Sequence, residues 1–98
     1  MYTIQQTSIF AEWLAGLRDL RAKAAIVRRL AQAMRGNLGD VKSASESVLE
    51  MRIDIGPGYR IYFVRRGQIL ILILCGGDKS SQTRDIKLAH QLARELAS

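Results

Sequence analysis

Two glycines close the most apolar run of this chain, and charged and hydroxyl side chains crowd in directly after them. The stretch LCGGDKSSQTRDIK, Leu74 to Lys87, places Asp78, Lys79, Ser80, Ser81, Gln82 and Arg84 at the exit of QILILILC. Upstream, VLEMRIDI and YRIYFVRR alternate with the period of a strand. Leu49, Met51, Ile53, Ile55, Ile61 and Phe63 point one way, and Glu50, Arg52, Asp54, Arg60 and Tyr62 point the other. Such a set suits anion binding. Arginine keeps its charge and presents a planar fork to two oxygens at once, whereas lysine supplies a mobile point charge. A sheet face this polar is either a wet exterior or a binding floor. His90, the single histidine, shares a polar helix face with Thr83, Lys87 and Arg94; that position suits either acid–base work or plain solvation.

The chain has 98 residues, 48 % of them hydrophobic, which is enough for a single domain over residues 1–98 with one core. Fifteen basic residues against nine acidic ones give a net charge of +6. That balance favours a polyanion or an acidic protein as partner. Arg18, Arg21, Arg28 and Arg35 add a basic stripe along one helix, either a solvated face or a contact surface. One cysteine, Cys75, excludes an intramolecular disulfide and a multi-cysteine zinc site. Its place at the end of an apolar strand marks it as a small core residue. With one histidine, no metal site and no cofactor is expected. QILILILC is too short to span a bilayer and no signal peptide opens the chain, so no membrane association and a cytoplasmic location are the expectation.

The elements that must position these groups follow from periodicity. YTIQQT is a short strand. Thr7 or Ser8 caps a helix over SIFAEWLAGL with Ile9, Trp13 and Leu17 at helical spacing. Asp19 caps a longer helix to Met34 or Arg35, whose apolar face is Leu20, Ala24, Val27, Ala31 and Met34. RGNLGDVKSASES reads as a polar loop. Two strands joined by GPG, a turn at Arg66-Gly67-Gln68, and the central strand QILILILC come next. Ser80 or Ser81 then caps a final helix, SQTRDIKLAHQLARELA, with an apolar stripe of Ile86, Ala89, Ala93 and Leu96. The order is β-α-α-β-β-β-α, with both long helices over the apolar sheet face and the polar face open.

GNLGDVK, LEMRID, GPGYRIYF and LCGGDKSSQTRDI together resemble the RelE/ParE-type toxin superfamily, in its HigB-like "addiction module killer" branch. The resemblance spans nearly the whole chain. It implies an α+β fold with two N-terminal helices packed on a curved, mainly antiparallel four-stranded sheet, plus a C-terminal helix. It also implies the toxin of a type II toxin–antitoxin pair, held inactive by a helix-turn-helix antitoxin. Many such toxins are endoribonucleases that cleave mRNA, often on the ribosome; the ParE-like branch instead inhibits DNA gyrase without catalysis.

Cleaving RNA requires a base for the 2′-hydroxyl, cations for the phosphorane and a proton for the leaving 5′-oxygen. By resemblance Arg60 matches the arginine that cleaving relatives carry on the middle strand, Arg52 matches a basic residue across the hairpin, and Lys79 arrives from the neighbouring strand end. Lys42, Tyr62, Arg84 and His90 are the candidate RNA contacts. Asp40, Glu50 and His90 are the candidate bases. Relatives that use a late aromatic residue have no counterpart here, because Ile86 stands near that position. Each candidate has a structural alternative. Arg60 can pair with Glu50 or Asp54 across the hairpin, Lys79 and Ser81 can serve as turn and cap, and Tyr62 can shield the sheet rather than stack on a base.

Overall fold

The computed structural model describes residues 1–68 and 70–96. Its fold is α+β, with a mixed five-stranded sheet ordered β1-β5-β4-β3-β2. The elements run β1 (Thr3–Gln6), α1 (Ser8–Ala15), α2 (Leu20–Met34), β2 (Val41–Ser45), β3 (Val48–Ile53), β4 (Tyr59–Arg66), β5 (Leu70–Asp78), a 3₁₀ turn (Lys79–Ser81) and α3 (Gln82–Glu95). β1 joins β5 in parallel, and the other three pairings are antiparallel. Ile69 of the expected central strand and Ala97 of the expected last helix lie outside the described residues. Among the described residues, no helix is long and apolar enough to cross a membrane.

Three sequence expectations are corrected. The sheet has five strands, not four, because the polar loop contains β2, which pairs with β3 from Val41↔Met51 to Ser45↔Val48 across a bulge. VKSAS is an edge strand wet on much of its surface, so it carries no alternating apolar signal. Second, the polar face is not left open. α1 and α2 cover one face, where Phe10, Ala22 and Ile26 meet Met51, Ile61, Phe63 and Ile73. α3 covers the other, where Ala89, Leu92 and Ala93 meet Val48, Tyr62, Val64, Leu74 and Cys75. A central strand that is apolar on both faces needs cover on both.

Third, α2 turns a different face inward, whereas α1 and α3 each depart from the expected stripe at one residue, Ile9 and Leu96. α1 buries Phe10 and packs Trp13, Leu14 and Leu17 against the core, leaving Ile9 exposed. α2 buries Ala22, Ala25, Ile26 and Ala33, leaving Leu20, Val27 and Met34 outside. α3 packs Ile86, Ala89 and Ala93 inward as expected, with Leu92 beside them, and leaves Leu96 exposed. The caps of α1 and α2 match expectation, whereas Ser81 stands at the N-cap of α3 without a side-chain capping bond. The Thr7 hydroxyl accepts from the Phe10 N–H, and the Asp19 carboxylate accepts from the Arg21 and Ala22 N–H groups.

The two glycines of LCGG allow close approach on opposite faces. A Cβ on Gly76 would lie 2.5 Å from the Trp13 ring of α1. A Cβ on Gly77 would overlap the Asp85 carboxylate of α3. Neither glycine has a positive φ, so space rather than backbone freedom excludes a side chain. Gly76→Ala should therefore cost about 1–3 kcal/mol through overpacking. Trp13→Leu in the same chain should absorb part of that cost, giving a coupling on the order of 1 kcal/mol in a urea-denaturation cycle. Strict additivity of the two substitutions would show that Gly76 is not there for the Trp13 ring.

Candidate functional site

The β3–β4 hairpin builds the site. Arg52 pairs with Arg60 across the ladder and Glu50 with Tyr62, so all four side chains leave the sheet on the α3 side. The connecting turn is tight: the Gly58 N–H donates to the Ile55 carbonyl at 3.1 Å. Gly56 and Gly58 adopt φ +56° and +80°, which L side chains rarely take up. The Gly58 carbonyl accepts from Arg60 Nη1 at 3.1 Å, folding that guanidinium back onto the turn.

Asp40, Arg52, Asp54, Arg60 and Lys79 line an open cleft of about 380 Å³ together with Ile53 and the GPG turn. Three cations and two carboxylates leave its wall positive. Lys79 comes from the 3₁₀ turn after β5, with its Cβ beside Gly58. Asp40 comes from the segment before β2, where its carbonyl accepts from the Arg52 N–H at 3.0 Å.

Glu50 braces the arginines from beneath. It is 1 % exposed, and its Oε2 lies 3.6 Å from both Arg52 Nε and Arg60 Nε. Its Oε1 accepts from Gln82 Nε2 at 3.2 Å, tying the hairpin to the start of α3. Arg60 is 6 % exposed, so it does not stand on an open floor as its alternation suggested; it borders the cleft as a nearly enclosed side chain. The Arg60–Glu50 pairing raised by the sequence is present, and Glu50 is a brace under the cleft rather than part of its lining.

The remaining candidates disperse. Tyr62 is fully buried under α3, so neither ring face is open to stack on a base. Its hydroxyl has no hydrogen-bond partner among the described residues, and burial pushes its ionisation up, with Glu50 and Asp85 adding to the effect and Arg60 opposing it. Lys42 shares the Glu50 row on the edge strand and is exposed away from the cleft. Arg84 is exposed and pairs with Asp85 at 3.6 Å. His90 lies two helical turns along α3, with Nε2 2.9 Å from Glu46 Oε2, in a separate depression shared with Arg66 and Arg94. Of the three candidate bases, Asp40 alone lines the cleft.

Most of the DKSSQTR cluster turns out to start a helix. The Asp78 carboxylate accepts from the Ser80 N–H at 2.8 Å and from the Ser80 hydroxyl, and Ser81 Oγ donates to Asp85 Oδ2. Lys79 alone of that stretch reaches the cleft. Cys75 is a buried thiol that burial, with Asp85 in support, pushes up to about 12, which keeps it unreactive.

Arg29 was not anticipated. From α2 its Nη1 donates to the Arg52 carbonyl at 2.6 Å and its Nη2 to the Leu38 carbonyl at 3.0 Å. It therefore fixes the backbone on both sides of the cleft wall. Burial holds its pKa below the usual arginine value, against the pull of Asp40. Gly39 is required beside it, since a Cβ there would lie 2.7 Å from the guanidinium. A lone arginine off the counted stripe, with a glycine ten residues on, carries no motif that reading by period would find.

The chain matches no protein-family model. It is 48 % identical over 93 residues to an uncharacterized protein of Haemophilus influenzae, covering 95 % of this chain and 94 % of that protein.

Removing Arg60 leaves Glu50 buried without its nearly enclosed partner. Arg60→Ala should lose about 3 kcal/mol of stability, and Glu50→Gln in the same chain should recover part of it. Urea midpoints for both variants check this; an Arg60→Ala protein as stable as wild type would contradict the bracing role. A second expectation concerns acid. The Ser80 hydroxyl, and then the Ser80 and Ser81 N–H groups, hold Asp78 below its usual value against a smaller effect of burial. A depressed folded pKa means that the cap contributes fully above about pH 4 and is lost as pH falls through the folded value. Asp78→Ala should thus be about 1 kcal/mol less stable than wild type at neutral pH. The gap should close below about pH 4 in thermal melts, and a constant gap would contradict the assignment.

Proposed function

This chain belongs to one family with the Haemophilus influenzae protein, and we propose that it is the toxin of a type II toxin–antitoxin pair, of the RelE/ParE, HigB-like kind, cleaving mRNA on the ribosome. The observation that carries the reading is the convergence of Arg52, Arg60 and Lys79 on one open cleft, with both arginines braced by a single buried carboxylate. A volume of about 380 Å³ suits a nucleotide-sized group.

In this proposal the Asp40 carboxylate takes the 2′-hydroxyl proton. The 2′-oxygen bonds to phosphorus, the bond from phosphorus to the 5′-oxygen breaks, and the leaving oxygen takes its proton from water at the open mouth. The products are a 2′,3′-cyclic phosphate and a 5′-hydroxyl. Arg52, the more exposed arginine, grips the non-bridging oxygens bidentately, and Arg60 adds a fixed charge behind them. Lys79 holds the flanking backbone as a point charge. The proposal puts the protein in the cytoplasm with ribosomes and with an antitoxin of helix-turn-helix type.

A second reading is a non-catalytic inhibitor of a protein target such as DNA gyrase. Its favouring observation is that no aromatic side chain lines the cleft to stack a base, Tyr62 being sealed under α3.

Lys79→Ala and Asp40→Asn change exposed groups and should keep stability within roughly 0.5 kcal/mol of wild type, whereas Arg52→Ala removes the half-exposed partner of Glu50 and should cost about 1 kcal/mol while leaving the chain folded. Arg52→Ala should cut ribosome-dependent RNA cleavage on the order of 10²-fold. Asp40→Asn should do the same, and Lys79→Ala should weaken RNA binding more than the chemical step. After induction without a partner, pulse-labelled protein synthesis should fall before DNA synthesis. Early arrest of DNA synthesis with intact RNA would select the gyrase reading, and folded variants of undiminished toxicity would remove the cleft from the mechanism.

A further inference from the structure

α2 carries two apolar stripes, and the core uses one. Ala22, Ala25, Ile26 and Ala33 are buried against the sheet. Leu20, Val27 and Met34 are 74 %, 52 % and 51 % exposed. At about 100° per residue the second stripe lies roughly 140° from the first, turned away from the sheet. Ala24 and Ala31 fall between its large members, so the spacing is four, three, four, three. That is the heptad seam of a coiled coil, with large and small positions alternating as knobs and holes. Met1 extends the patch, since the Tyr2 N–H donates to the Met34 carbonyl and Met1 is almost wholly exposed.

The charge beside the seam selects its occupant. Arg21, Arg28 and Arg35 each follow a large seam residue and form one flank. Between Leu20 and Met34 the helix contains no acidic residue, and the Asp19 carboxylate before it is engaged in capping. A second copy of this chain would set arginine against arginine over the full contact. We infer that the outer face of α2 docks one amphipathic helix of a partner protein, apolar along its seam and acidic on the flank that meets Arg21, Arg28 and Arg35. The contact runs about 22 Å along α2, two heptads of a partner helix. It is independent of the cleft and of any chemistry there.

The probe is a synthetic 21-residue helical peptide with leucine at the seam positions and glutamate on both flanks, titrated by fluorescence anisotropy against the full chain. A twin peptide carries lysine for every glutamate. The acidic peptide should bind, and its affinity should fall as salt rises. Val27→Asp should weaken binding at least tenfold, and so should Arg28→Glu; both positions are exposed, so the fold does not depend on them. Lys79→Ala and Arg52→Ala should leave peptide binding unchanged, which keeps this test separate from the RNA reading. Binding of neither peptide, equal binding of both, or binding indifferent to Val27→Asp would overturn the inference. So would a wild-type dimer in sedimentation that Val27→Asp dissociates, because the occupant would then be a second copy.

Discussion

A carboxylate held at 1 % exposure between two guanidinium groups sets the terms for this fold. Desolvating Glu50 costs several kcal/mol, and Arg52 and Arg60 offset it only while all three keep their places. The ladder register fixes two of them, because Arg52 and Arg60 face each other one step beyond the Glu50↔Tyr62 pair. Gln82 supplies the hydrogen bond that the opposite carboxylate oxygen needs, so the first turn of α3 must sit where it does. The cleft above is therefore presented by a hairpin and a helix that share one buried charge. Rigid presentation of this kind is what electrostatic stabilisation of a phosphate requires, since donors that need no reorganisation act at full strength.

The same demand explains the glycines at the end of β5. α1 and α3 approach this strand from opposite faces, and both press on its last residues. Gly76 yields to Trp13, and Gly77 yields to the Ser81–Asp85 pair. Without that pair at the sheet, Gln82 would stand away from Glu50. The polar cluster after the apolar run is mainly the apparatus that starts α3 in the right place, and Lys79 is the member it lends to the cleft.

The strands of the meander, the caps at Thr7 and Asp19 and the shared face of Arg52 and Arg60 were legible in the sequence, because period-two alternation and capping chemistry are local; Lys79 joined them only through the family resemblance. What was not legible is tertiary. β2 is an edge strand of small polar residues, and its pairing is visible only against β3. The burial of Tyr62 depends on α3 crossing the face that alternation marked as polar. The inner face of α2 was misread because hydrophobic period follows side-chain size, whereas close packing on a sheet selects small residues. Alanine at 22, 25 and 33 fits where leucine would overpack, and the heavier Leu20, Val27 and Met34 advertised the wrong side.

Small residues on the inner face of α2 have a physical consequence. An inner face built largely of alanine buries little side-chain area, so α2 gains little from apolar burial at about 25 cal/mol per Å². Ile26 is its one large buried apolar side chain. Leu30 packs partly buried against the same core, and polar contacts complete the attachment: the Asp19 cap at one end, and the Arg29 bonds to the carbonyls of Leu38 and Arg52 along its length. Those Arg29 bonds also fix the wall of the cleft. A helix held this lightly on the inside, with a continuous apolar seam outside, gains stability from anything that binds the seam in the native state alone.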